Sequence, residues 1–138
     1  MLPMIASVAL RKAEIRKTAL SARRHHPDHA TASATITSRL MRMPEYRDAG
    51  SVLWYVNSRH EVGTREAIGR ELDRAAETSQ PADGPPPPRK QIVVPYCVDG
   101  QLRLFHLRTL DQLGTGEYRI LEPKPPLREA PENQVLLK

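Results

Sequence analysis

The stretch "SVLWYVNSRHEVGTREAIGREL", Ser51–Leu72, passes from an apolar run through a polar turn into a helical pattern. The run "SVLWYV" has the length and the β-branched and aromatic content of a buried strand, residues 51–56. Ile68, Leu72 and Ala75 then recur at helical spacing, so a helix is predicted over 64–77. Thr64 suits its N-cap, and Glu66 in the first turn suits the positive end of the helix dipole. Strand, loop and helix in that order form the basic unit of an α/β sheet. Glu61 therefore falls just past the carboxyl end of a strand, where open α/β sheets usually hold ligands. A polar turn in such a place is most often simply solvated. Position alone makes Glu61 a candidate.

On the N-terminal side a helix is predicted from about Ser7 to Arg24. Val8, Lys12, Ile15, Ala19 and Ala22 follow a 4-3-4-3 spacing, and "HHPD" ends the helix around Pro27. A second helix is predicted from about Asp28 to Met43, with Ile36, Leu40 and Met43 facing inward. Pro44 interrupts it, and Gly50 leads into the strand. On the C-terminal side "ETSQPADGPPPPRK", Glu77–Lys90, reads as a flexible, exposed Pro-rich loop at 77–90. "QIVVPYCVDGQLRLFHL" reads as two strands, 91–98 and 101–107, joined by the two-residue turn Asp99-Gly100. "DQLGTGEYRILEP", 111–123, is loop-rich with Ile120 and Leu121 expected to be buried. The fold class that follows is α/β. N-terminal helices precede a mixed or parallel sheet with flanking helices, in a Rossmann-like three-layer plan that stops before its last strands. The 138 residues are expected to form a single, incomplete domain.

Composition narrows the function classes. A mass of 15.6 kDa fits one domain with a real core. Mean hydropathy is −0.53, and no stretch is long and apolar enough to span a bilayer. "MLPMIASVAL" lacks the basic start of a secretory signal, and the basic residues after it fall on a helical pattern, so a plain helix is preferred to a targeting segment. Aromatic residues make up only 4%, which disfavours stacking platforms for bases. Cys97 is the only cysteine, so no internal disulfide or Cys-rich metal site can form, and a reducing cytoplasm is the expected location. Residues 1–50 carry nine Lys/Arg against four Asp/Glu, and residues 51–138 carry twelve against twelve. The whole +5 excess thus lies in the helical half, which suits a phosphate or a nucleic acid as partner.

Lys12 and Arg16 lie four apart on the first helix and emerge on one face. Like charges at that spacing repel by a few tenths of a kcal/mol, roughly, and a bridging phosphate would offset the repulsion. A solvated basic face, partly balanced by Glu14, is the plainer reading of the same pair. His25, His26 and His29 cluster at the turn around Pro27, yet no Cys, Asp or Glu pattern completes a tetrahedral metal site. His60 beside Glu61 could orient a ligand or be wet, and His106 alternates with Leu102 and Leu104 as a sheet residue. GxSxG, HExxH, GxxxxGK and GxGxxG are all missing, and "LGTGEY" has the wrong spacing. Nothing in these residues wraps a triphosphate with successive backbone N–H groups.

Taken in order, the segments resemble the 5-formyltetrahydrofolate cyclo-ligase, or methenyltetrahydrofolate synthetase, family over its N-terminal two-thirds. "KAEIRKTALSARR" is similar to the family's K-x-x-L-R helix, with Ile15 for Leu. "PEYRDAGSVLWYVNSRHEVGTREAI" is similar to its strand ending in an aromatic and followed by E-x-x-T. "KQIVVPYCVDGQLRLFHL" is similar to its K-x-x-x-x-P strand and hairpin. "LGTGEYRILEP" is similar to its G-x-x-G-I-x-E-P element, with Arg119-Ile120 where Gly-Ile is usual. The Pro-rich segment replaces a short connection. The family's later D-L-V-x-x-P strand and G-x-R-L-G-x-G-x-G-Y-Y-D loop are not among these residues.

The resemblance implies ATP-dependent closure of 5-formyltetrahydrofolate to 5,10-methenyltetrahydrofolate, with ATP and Mg2+ as cofactors. It implies Lys12 and Arg16 as contacts to the ATP phosphates, and Val56 and Glu61 as contacts to the folate. No catalytic residue is assigned. The Mg2+ site is expected in the part not present, which would impair activity in this chain, and a monomer is expected. The alternatives are a non-catalytic remnant of the family and a small basic nucleic-acid-binding module, the latter resting on charge asymmetry alone.

Overall fold

In the computed structural model, which describes residues 2–77 and 89–135, the sheet is mixed. Strand β1 (Ser51–Leu53) runs parallel to β2 (Gln91–Val98), and β2 runs antiparallel to β3 (Gln101–Leu107), in the order β1-β2-β3. The β2–β3 hairpin matches its sequence reading because its turn is locally specified. Asp99 and Gly100 have φ of 51° and 71°, as a type I′ turn requires at both central positions. Most of the Pro-rich segment, residues 78–88, lies outside the described residues.

Register sorts the side chains onto two faces. Val52, Trp54 and Val56 share one face with Ile92, Val94, Tyr96, Phe105 and Leu107. Against this face pack Ala67, Ile68 and Leu72 of helix α4 (Arg65–Glu77) and Tyr46 of the short helix α3 (Pro44–Asp48), completing the core. The opposite face holds Leu53, Val93, Pro95, Cys97, Leu102 and Leu104 in register; Val93 is buried there, while Leu53 and Leu102 are exposed. The mixed α/β plan expected from sequence is present, with a second small sheet beside it.

The β1 ladder is shorter than the predicted 51–56. Trp54 N–H still donates to Val93 O at 2.8 Å, and then the chain leaves the sheet. Lys90 fixes the entry to β1. Its ammonium donates to the carbonyls of Tyr46, Arg47 and Ala49 at the end of α3 and lies 4.8 Å from the centre of the Tyr46 ring.

The inward face of α2 (His29–Arg42) differs from expectation. Ile36, Leu40 and Met43 are 49%, 39% and 46% exposed, whereas Ser33 and Thr37 are buried. Close approach to a loop explains the reversal. Ser33 Oγ accepts the Gly63 N–H at 2.8 Å, and a Cβ on Gly63 would come within 3.3 Å of that oxygen. A bulky apolar side chain cannot both fit there and satisfy a backbone donor. Helix α1 (Leu2–Arg24) is exposed throughout 7–24, including Val8 and Ile15 of its predicted stripe. No helix among the described residues is long and apolar enough to cross a membrane.

"DQLGTGEYRILEP" adds a second small sheet, with β4 (Leu113–Thr115) antiparallel to β5 (Leu121–Pro123), followed by the short helix α5 (Pro125–Arg128). Ile120 and Leu121 are only half-buried; Glu122 and Pro123 are the buried pair. Glu122 is compensated by Arg128 at 3.4 Å, and Arg128 in turn stacks over Tyr96 at 4.9 Å. Gly116 is required beside it, because a Cβ there would lie 2.3 Å from Glu122 Oε2.

Candidate functional site at the end of strand β1

Past β1 the chain turns through residues 57–64 into α4, and side chains build that turn. Asn57 N–H donates to Thr64 Oγ1 at 3.1 Å, and Thr64 N–H donates to Asn57 Oδ1 at 3.0 Å. The Thr64 hydroxyl donates to Tyr55 O at 2.7 Å. Thr64 does precede α4, as the sequence suggested. However, the Asn57 amide oxygen takes the free N–H groups of Thr64 and Arg65, so the Thr64 hydroxyl is not the cap. The Asn57 role was missed because its partner is seven residues away. An Asx residue just before a loop that re-enters a helix is the only local signal.

Glu61 closes a tighter turn within this loop. Its N–H donates to Ser58 O at 3.1 Å, and its Oε2 accepts the Ser58 N–H at 2.9 Å, with Arg59 between them at φ 50°. One carboxylate oxygen is thus held by the backbone. Oε1 makes no hydrogen bond among the described residues and faces solvent. The loop is pinned from two sides: His29 Nε2 lies 2.7 Å from Glu61 O, and the Tyr55 hydroxyl donates to Val62 O at 3.2 Å. Partial burial, and then the negative charge of Glu61, push the Tyr55 hydroxyl above its usual pKa, so it remains a donor.

Between α2 and the start of α4, under this loop, lies a cavity of about 380 Å³ lined by His29, Ser33, Asn57, Arg59, Arg65 and Arg70, among others. Arg70 pairs with Glu66, while Arg59 and Arg65 have no ion-pair partner among the described residues. The cavity wall thus carries positive charge from Arg59 and Arg65, while Glu61, in the same loop as Arg59, is not among its lining residues. The second carboxylate oxygen of Glu61 can accept an N–H donor, and the arginine-lined cavity suits an anionic group.

The other predicted site residues are placed differently. The Val56 side chain is buried in the core against α4, leaving only its backbone toward the loop. Lys12 and Arg16 project from the exposed α1, and neither they nor Glu61 line the cavity between α2 and α4. Two exposed cations four residues apart suit phosphate oxygens, so they fit part of an ATP site. No three His, Cys, Asp or Glu side chains converge among the described residues.

A mixed sheet flanked by helices, with a long loop following its parallel strand β1, is the class of open α/β fold seen here. The structure is similar to the NMR structure of 5,10-methenyltetrahydrofolate synthetase from Aquifex aeolicus, with a TM-score of 0.64 and 22% sequence identity. The match covers 81% of this chain and 51% of that one, so the chain spans about half the length of the solved structure it matches. No family model matches the sequence, and no curated protein matches it. The fold resemblance read from the ordered motifs is therefore present in three dimensions.

Proposed function

We propose that this chain is the pterin-holding part of a 5-formyltetrahydrofolate cyclo-ligase. One observation carries the reading: on the synthetase fold, at the carboxyl end of a parallel strand, Glu61 is held by Ser58 with one oxygen still open. A carboxylate fixed in this way is preorganised to accept N–H donors of a reduced pterin, with the backbone at Val56 forming the adjoining edge. In the proposed reaction the formyl oxygen attacks the γ-phosphoryl group of ATP and ADP leaves. N10 then attacks the activated carbon, and phosphate departs to give 5,10-methenyltetrahydrofolate. Lys12 and Arg16 neutralise phosphate charge in this scheme, and holding the formyl group in line with the phosphoryl group supplies most of the rate. Because α1 is separate from the Glu61 loop here, nucleotide and folate must be brought together by further structure. These 138 residues alone are therefore proposed to bind folate and turn over little or none of it, as a monomer in the cytoplasm.

Isothermal titration with 5-formyltetrahydrofolate, with and without ATP, tests this. Saturable 1:1 folate binding is the expected result. No heat at millimolar ligand, with the helical circular dichroism intact, would remove the reading in favour of a non-binding relative. Salt-sensitive retention of RNA or DNA that collapses in Lys12→Ala/Arg16→Ala would instead support a polyanion-binding role for α1.

A further inference from the structure

At the end of the sheet opposite the Glu61 loop lies a second cavity, of about 580 Å³. Topology places it there. Glu61 follows the carboxyl end of β1, whereas Gly50 precedes β1, Lys90 and Gln91 open the parallel strand β2, and Leu107 and Arg108 end the antiparallel strand β3. The carboxyl-terminal half of α4 lines it through Leu72, Ala75 and Ala76. The cavity under the Glu61 loop shares none of these residues.

Two kinds of surface meet in this second cavity. Leu72 and the cross-strand partners Ile92 and Leu107 belong to the hydrophobic core, so its floor is the margin of that core. Arg89, Lys90 and Arg108 also line it. The Lys90 ammonium donates to the carbonyls of Tyr46, Arg47 and Ala49, and the Arg108 guanidinium donates to Asn133 Oδ1 and Glu132 O. All of these acceptors are neutral, so they hold the two side chains in place without cancelling their charge. Arg89 is exposed and has no ion-pair partner among the described residues. None of the residues lining the cavity is acidic. The carboxyl end of the α4 dipole is negative, yet it amounts to only about half a charge against three cations.

Cations gathered around one cavity repel each other, more strongly beside a low-dielectric core than in water. An anion relieves that repulsion, and an apolar body attached to the anion covers the margin of the core. Small-molecule sites commonly have this size and this pairing of an apolar floor with a few charged groups. The apolar residues here are all aliphatic, with no Phe, Tyr or Trp to stack on a ring, which favours a flexible chain over a flat heterocycle.

We infer that this cavity binds a small amphipathic anion, a carboxylate carried on an aliphatic chain. The chain lies along Leu72, Ala76 and Ile92, and the carboxylate meets Arg89 and Arg108. The inference is independent of the folate reading, because the two cavities lie at opposite ends of the sheet, and it can hold even where folate does not bind.

Titration of the whole chain with decanoate, kept below its micelle concentration and followed by calorimetry and amide NMR shifts, tests this. Saturable 1:1 binding is expected, with decanol and acetate each at least tenfold weaker because each lacks one half of the ligand. The shifts should fall on Gln91, Ile92 and Leu107 and spare Ser58, Glu61 and Gly63. Arg89→Glu reverses an exposed charge and should weaken decanoate at least tenfold. Ala76→Trp, at an exposed helix position, fills the cavity and should abolish binding with unchanged circular dichroism. The shift map on the unaltered chain decides the matter even where a variant fails to fold. No saturable shifts at millimolar decanoate, equal binding of decanol, or displacement of decanoate by 5-formyltetrahydrofolate would each overturn the inference.

Discussion

Asn57 and Thr64 hold each other across the loop after β1, each donating its backbone N–H to the other's side chain, at 3.1 and 3.0 Å. Thr64 is only 2% exposed, and its hydroxyl also serves Tyr55 O. Thr64→Val keeps the shape but removes the partner of two part-buried backbone groups, so it should cost about 1 kcal/mol in a urea melt. It should also weaken 5-formyltetrahydrofolate binding. A stability loss with unchanged folate affinity would detach the loop from the site.

Glu61→Gln separates charge from turn geometry. The amide oxygen can still accept the Ser58 N–H, whereas the side chain no longer presents a carboxylate to pterin N–H groups. Folate affinity should fall at least tenfold, with ATP affinity and the melting curve unchanged. Equal loss for both ligands by calorimetry would contradict the assigned role.

Lys12 and Arg16 are exposed and pack against nothing in the core, so replacing both by Ala should leave stability within about 0.5 kcal/mol. The expected effect is confined to nucleotide. ATP binding should weaken and lose part of its salt dependence, and fluorescence titration at two salt concentrations measures both.

Arg119 occupies the left-handed region at φ 58°, at the position where the resembling family usually has Gly. A non-glycine residue pays about 1–2 kcal/mol for that conformation. Glycine escapes this cost but loses more entropy on folding. Arg119→Gly should therefore stabilise modestly, by up to about 1 kcal/mol, read as a higher urea midpoint with unchanged slope.

Burial, and then the neighbouring Arg108 charge, lower the pKa of His106 below its ordinary value near 6.5. The unfolded chain then binds the proton more readily than the folded one. The contribution of this residue to stability is thus complete above pH 6.5 and is lost as pH falls through the folded-state value. His106→Gln should flatten the acid limb of a stability–pH profile below pH 6.5. An unchanged slope would assign the acid sensitivity to other groups.

The local chemistry of short segments was legible in the residues alone. The Asp99-Gly100 turn and its two strands follow from residues that tolerate positive φ between apolar runs. The strand, loop and helix around Glu61 follow from a change in hydrophobic period, and the order of four motifs carried the fold resemblance. Tertiary structure decided what lies on which face. The approach of Gly63 to Ser33, and not any periodicity, turned Ser33 inward on α2 while Ile36 and Leu40 stayed exposed. Only the path of the loop turned Val56 into the core, tied one oxygen of Glu61 to Ser58 and left Lys12 and Arg16 apart from it. Periodicity encodes which residues can share a side. The partner that meets that side comes from residues distant in sequence, and no local pattern contains it.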